Sequence, residues 1–269
     1  MKIDVGLSFA YSILTAFAIT GIIILAAPTH LITNDDTIQV NEYQVDDYGS
    51  FDIDIRLGDV NGYLDGLYRV GTSSLLSNVF VTVNDPTVVK VYDSLKGYMV
   101  GMDDIDKAQF LLRFVQNNID YERDEFVYGQ QDYIQYPAET LLLKTGDCED
   151  MSFLLLTLYE KAGLDAVIIQ AEDHTSVGVD IPLEKGRYVT ALGSDVRYYI
   201  AEPTGYYPVG VDTIEGLMFV HHPTVPYFAI VLILTGLLVS AIITYWNRDE
   251  FVYRAVQIDS QASFMEVRA

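Results

Sequence analysis

Residues 144–163 read KTGDCEDMSFLLLTLYEKAG, and this stretch decides how the rest of the chain is understood. Asp147 or its neighbour can cap a helix by accepting from its first free N–H groups. Met151, Leu154, Leu155, Leu158 and Tyr159 then recur at helical spacing as a buried stripe, and Gly163 suits the left-handed residue that closes such a helix. The spacing predicts a helix from about Asp147 to Ala162. Its first turn holds Cys148, the only cysteine of the chain. A cysteine at a helix N-terminus is a candidate nucleophile, because the helix dipole favours its thiolate. A lone cysteine is equally a small buried hydrophobe. Being single, it forms no intrachain disulfide.

Downstream of this helix the pattern changes to strands. AVIIQ, TSVGVDI, RYVTAL and RYYIAEPT each read as short strands, the first as a continuous apolar run. Upstream, Pro86 with Asp85 as its cap opens a helix over residues 86–99, whose apolar positions are Val88, Val91, Leu95 and Met99. Asp103 or Asp104 starts another, striped by Ile105, Ala108, Leu111, Leu112, Val115 and Ile119. Residues 121–140 form a polar, tyrosine-rich connection of a length that in compact domains is usually functional or mobile. Earlier still, SFDIDIRL alternates strictly, with Phe51, Ile53, Ile55 and Leu57 on one face. DTIQVNEYQV and NVFVTV read as strands too, so residues 34–84 are expected to be a small β-rich region.

The ends of the chain are different in kind. Residues 5–27 and 227–246 are apolar runs without a charge, each matching the roughly 20 residues a helix needs to cross a bilayer. Tyr227, Phe228, Tyr245 and Trp246 flank the second run, as interfacial aromatics do. Two transmembrane helices put both termini on one side. Lys2, Arg248 and Arg254 favour a cytoplasmic side for them, which leaves residues 28–225 extracellular and 247–269 a short cytoplasmic tail. The implied partner is the lipid bilayer of the cell membrane. His30, His221 and His222 flank the apolar runs and are read as interfacial rather than as metal ligands.

The net charge is −22, with 38 acidic against 16 basic residues, and nearly all of it lies between the apolar runs. Nucleic acid is excluded as a partner, since binding it relies on Lys and Arg. Such self-repulsion needs screening, which molar salt supplies. An acidic surface with few lysines resembles that of halophilic archaeal proteins. Asp147, Glu149, Asp150, Glu172 and Asp173 could attract Ca²⁺, but they lack EF-hand spacing, and no metal site or cofactor is assigned.

Two more residues complete the chemistry that Cys148 would need. His174 lies at the entry of a strand and Glu202 at the end of another. An imidazole takes a thiol's proton and returns it to the leaving group, and a carboxylate on its other nitrogen fixes tautomer and orientation. The stretches YPAETLLLKTGDCEDMSFLLLTLYEKAGLDAVIIQ, DHTSVGVDI and YYIAEPTG, in that order, resemble the cysteine helix, the histidine strand and the third strand of the transglutaminase-like family. That family belongs with the papain-like cysteine enzymes, and Glu202 and Ser176 stand where many members have aspartate and tryptophan. The resemblance implies an α+β fold over residues 85–222, with the cysteine helix packed on an antiparallel sheet. It implies Cys148 as nucleophile, His174 as base and Glu202 as orienting carboxylate. A protein or peptide substrate at the cell surface would be attacked at an amide carbonyl, through a thioester. The backbone N–H of Cys148 is expected to donate to the oxyanion, with Tyr136 as a second candidate. The alternative is a catalytically inactive scaffold or interaction module of the same fold in a membrane assembly.

Overall fold

The computed structural model describes residues 37–60, 80–129, 133–190 and 195–221 except 213, 215 and 217, together with residue 236. The predicted apolar spans 5–27 and 227–246, with the tail 247–269, otherwise lie outside the described residues. Among the described residues no helix is long and apolar enough to cross a membrane. Apart from residue 236, the described residues belong to one compact unit, residues 28–226.

Strands β1 (Ile38–Val45) and β2 (Gly49–Arg56) form an antiparallel hairpin in the register Ile38↔Arg56. β2 buries Ile53 and Ile55 and exposes Asp52 and Asp54, as its alternation predicts. On β1 the inward residues are Asn41, Tyr43 and Val45, and Ile38 and Val40 are exposed. Asn41 and the Tyr43 hydroxyl both donate to the Leu141 carbonyl, which is why polar positions face inward there. A short helix α1 (Leu57–Val60) follows.

NVFVTV was expected to be a strand. Its described residues, 80–83, are irregular instead. Phe80 is fully buried with its ring 5.2 Å from Phe153 and 5.0 Å from Tyr136, so packing of one aromatic fixes the segment without a ladder. Helix α2 (Pro86–Leu95) begins where Asp85 accepts from the N–H groups of Thr87 and Val88, and it ends four residues before the expected Met99. Helix α3 (Asp104–Asn118) is capped by Asp103 and presents its predicted stripe to the core.

The polar connection is not structureless. It contains β3 (Asp120–Tyr121) and two short helices, α4 (Asp124–Val127) and α5 (Pro137–Leu143). Pro137 is pre-set for the first helical position, and the Glu139 carboxylate accepts from the Tyr136 N–H. β4 (Thr145–Gly146) then pairs in parallel with β3, Tyr121 beside Gly146. Helix α6 (Cys148–Lys161) follows, capped reciprocally by Asp147 and Asp150 and closed by Gly163 at φ 80°.

The sequence showed one buried stripe on α6, but Phe153 and Leu156 off that stripe are fully buried as well. The helix is central. Sheet strands cover one side and α2, α3 and α5 the others. Each leucine or phenylalanine so enclosed contributes about 1.5–3 kcal/mol. The polar residues on it are satisfied locally, Thr157 by the Phe153 carbonyl and Ser152 by the Thr175 carbonyl.

The sheet has five antiparallel strands in the order β7 (Tyr188–Val189), β8 (Tyr198–Ala201), β6 (Thr175–Asp180), β5 (Ala166–Gln170), β9 (Phe219–His221). Ala166, Ile168, Val177, Val179 and Ala201 face α6 and join the main core. Val167, Ile169, Tyr198 and Ile200 face away and pack with Ile214. The sheet is therefore buried on both faces, which explains the unbroken apolar run in β5. The strand β9 was not expected. It places the backbone of His221 opposite Ile168 at the sheet edge.

Candidate active site

Three chain segments deliver the three residues singled out in the sequence. Cys148 is the first residue of α6. The preceding Gly146 is needed for close approach, since a Cβ there would lie 2.7 Å from the Cβ of Asp150. His174 ends the tight turn between β5 and β6, where the Ala171 N–H donates to the His174 carbonyl. Glu202 directly follows β8, whose Ala201 pairs with Val177 of β6. Adjacent antiparallel strands thus bring the last two to the same sheet end.

His174 Nε2 and Glu202 Oε2 are 2.8 Å apart. The other carboxylate oxygen accepts from the backbone N–H of Thr204 at 3.0 Å and from its hydroxyl at 2.6 Å. Behind it, the Gln116 amide of α3 donates to the carbonyls of Glu202, Gly205 and Tyr207. Burial opposes the charge on Glu202, yet the hydrogen bonds from His174 and Thr204 outweigh it and hold the carboxyl below its ordinary value. The hydrogen bond to Glu202 is in turn the main reason why the imidazole pKa is raised, against the burial that lowers it. With Nε2–H directed at the carboxylate, the lone pair of a neutral His174 is on Nδ1.

Cys148 is 9% exposed and opens with His174 onto one cavity of about 560 Å³. No hydrogen bond joins the two among the described residues. The thiol donates instead to Glu149 Oε2 at 2.8 Å. Burial first, and then the Glu149 charge and hydrogen bond, push the thiol well above its ordinary pKa, while the backbone N–H of Thr175 works the other way. The N–H of Cys148, at the first position of α6, has no intrahelical acceptor and can meet an incoming oxygen. Tyr136, the second candidate, is buried against Phe80 and is not among the residues that line the cavity. Tyr121, Arg123, Asp124 and Glu125 do line it, so the tyrosine-rich connection forms one wall. On the far side of His174 a second cavity of about 330 Å³ is lined by Glu202, Thr204 and Tyr207.

Carboxyl oxygens of Asp124, Asp147 and Asp150 lie within 4.8 Å of one another, a grouping that includes Asp124 in place of the Glu172 and Asp173 expected from the sequence. These oxygens already have partners in the protein. Asp150 accepts from the N–H groups of Gln135 and Asp147, and Asp124 from that of Tyr133. Burial, with the nearby Glu149 and Asp124 charges, pushes Asp147 up to about 8, and burial with Asp147 raises Asp150 well above its ordinary range. The two residues cap α6 reciprocally.

Thr204 and Gln116 were not singled out from the sequence. The short spacing in Glu202-Pro203-Thr204 is a local signal for a side chain closing on its own turn. Gln116 carries none, because its acceptors lie 86 to 91 residues away.

Comparison with known proteins finds a family match in part of the chain. Residues 94–181, about a third of its length, match the model described as the transglutaminase-like superfamily. No curated protein matches the chain. Among solved structures, a "putative protease" from Parabacteroides distasonis aligns over 54% of this chain at 8% identity and a TM-score of 0.30. The aligned part spans 34%, about a third, of that protein's length. The stretch that carries Cys148 and His174, residues 94–181, is thus transglutaminase-like, and it lies within a domain of mixed helix and antiparallel sheet.

Proposed function

We propose that the protein is a membrane-anchored cysteine enzyme of acyl transfer or amide hydrolysis. The observation that carries this is the 2.8 Å His174–Glu202 contact facing the same cavity as a cysteine at a helix N-terminus. In this reading the thiol turns from Glu149 to His174 Nδ1 and gives up its proton there. The thiolate attacks an amide carbonyl carbon, and the developing oxyanion is met by the Cys148 N–H. The imidazolium returns the proton to the departing amine as the C–N bond breaks, which leaves a thioester. Water or a second amine then releases the acyl group. Glu202 never takes the proton. It keeps Nε2–H in place and stabilises the imidazolium.

The substrate would be a peptide bond or glutamine side chain of a cell-surface protein, reached from an extracellular domain held by the apolar spans at 5–27 and 227–246. The archaeal and halophilic assignments rest on the acidic composition alone.

A second reading has its own observation. The Cys148 thiol is hydrogen-bonded to a carboxylate rather than to the imidazole, as in a catalytically silent binding module. The two readings diverge in one experiment on the full-length protein. Alkylation of Cys148 by iodoacetamide is followed against pH in Glu149→Gln, which releases the thiol from its carboxylate, with and without His174→Ala. A thiolate reacting below the ordinary thiol pKa of about 8.5, and lost without His174, supports the enzyme. Reactivity only at higher pH, indifferent to His174, refutes it and selects the silent module.

A further inference from the structure

The cavity in front of Cys148 is more acidic than the chain that builds it. Six of its fourteen described lining residues are carboxylic: Asp124, Glu125, Asp147, Glu149, Glu172 and Asp173. In the whole chain the proportion is 38 of 269. They come from three separate places: the start of α4, the N-terminus of α6, and the tip of the β5–β6 turn. Arg123 is the one lysine or arginine among the described lining residues, and His174 is engaged by Glu202. One of the six, Glu149, is within hydrogen-bond reach of the sulfur itself.

We propose that this cavity selects a cationic acyl donor, a polypeptide segment with Lys or Arg beside the attacked amide, and that Glu149 reads the cation nearest the sulfur. A cleft lined by one sign of charge concentrates the opposite charge and speeds its arrival. An ammonium or guanidinium that pairs with Glu149 also takes the carboxylate that holds the thiol proton. The S–H is then free to turn to His174 Nδ1. Binding of the correct substrate and release of the nucleophile become one event, and a neutral or acidic segment achieves neither. The catalytic half of this inference rests on Cys148 being the nucleophile. The charge selectivity of the cavity does not.

The single cysteine makes a direct test available in the full-length protein. Cys148 is titrated with two methanethiosulfonate reagents of similar size, one ending in trimethylammonium and one in sulfonate, and the rate ratio is compared with that of free cysteine. The cationic reagent is expected to be favoured by about tenfold or more. The preference should fall at least about threefold in Glu149→Gln and in the double variant Glu172→Gln/Asp173→Asn, and it should shrink with added salt. It should survive in His174→Ala, which separates this inference from the assignment of the base. It should also be unchanged in Asp52→Asn/Asp54→Asn, which removes two exposed charges from β2. A ratio equal to that of free cysteine, or a drop as large in the β2 variant, overturns the proposal. So does turnover of amide peptides with flanking glutamates as fast as those with flanking lysines, an outcome that would leave Cys148 as the nucleophile.

Discussion

Replacing Glu202 by Gln tests the electrostatic arrangement at its most constrained point. The side chain of Glu202 is 3% exposed and that of His174 28%. At 2.8 Å and an effective dielectric of about 20, a carboxylate and an imidazolium attract with an upper limit of about 6 kcal/mol. Burial of the carboxylate offsets much of this, and a hydrogen bond between charged groups nets about 1.5–3 kcal/mol. Glu202→Gln removes this support for the charged imidazole, so His174 should titrate lower in the variant. The amide oxygen can still accept from Thr204, so the turn is retained. The NH₂ then faces Nε2, which favours the tautomer with the proton on Nδ1 and the lone pair on Nε2. Carbon-detected titration of the histidine Cε1–H resonances, with His174→Gln to assign the peak, measures the shift. The effect on stability has a definite pH window. The raised His174 contributes below its unfolded value of 6.5 and loses this as pH rises through its folded value. The lowered Glu202 contributes above 4.5 and loses this as pH falls through its folded value. The variant should therefore be most destabilised between these two unfolded values. An unchanged His174 midpoint, or a stability loss that is flat with pH, would refute the reasoning.

Packing and the helix cap give two further expected outcomes. Gly178→Ala would put a Cβ 2.8 Å from that of Tyr198 and 2.9 Å from Val167 Cγ2, so urea unfolding should show a loss of about 1–3 kcal/mol, and an unchanged midpoint would mean that the strands yield freely. Asp147 has its pKa raised from 3.8 to about 8, so the folded state binds the extra proton and stability falls as pH rises between those values. Asp147→Asn, which can still cap the helix, should reduce that slope to the part Asp150 contributes and gain stability at and above pH 8, read from thermal unfolding across the range; an undiminished slope would place the excess proton elsewhere.

The parts of this domain legible from sequence are those set by neighbours in the chain. Asp85, Asp103 and Asp147 cap helices where polar residues precede apolar periodicity, and Cys148 falls at the helix start because Asp147 is the cap. The alternation of β2 fixed which residues face inward. What escaped was decided by distant partners. β9 is three residues long and exists through its pairing with β5, some fifty residues earlier. Phe80 sits in a run that reads as a strand, but aromatic contacts from α6 and the α5 approach hold it instead. The Glu149–thiol contact was foreshadowed only as a local excess of acid. That the side chain turns back on its neighbour depends on the shape of the cavity.

Helix α3 sets how precisely the site is assembled. Near its C-terminus Gln116 grips the three carbonyls around Glu202, and a few residues on the Asp120 and Glu122 N–H groups donate to Lys144 and Gly146 just before Cys148. The cysteine side and the carboxylate side are thus indexed to one datum, the end of a single helix, although they lie more than fifty residues apart in the chain. A helix turns about 100° per residue. Deleting one residue between Gln116 and Asp120 would leave the segment from Asp120 onward free to re-pair with β4 only by rotating Gln116 out of its socket, or the reverse. The helix end works as an alignment gauge with two settings that must agree, so changes in the length of α3 are far less tolerable than substitutions on its exposed face.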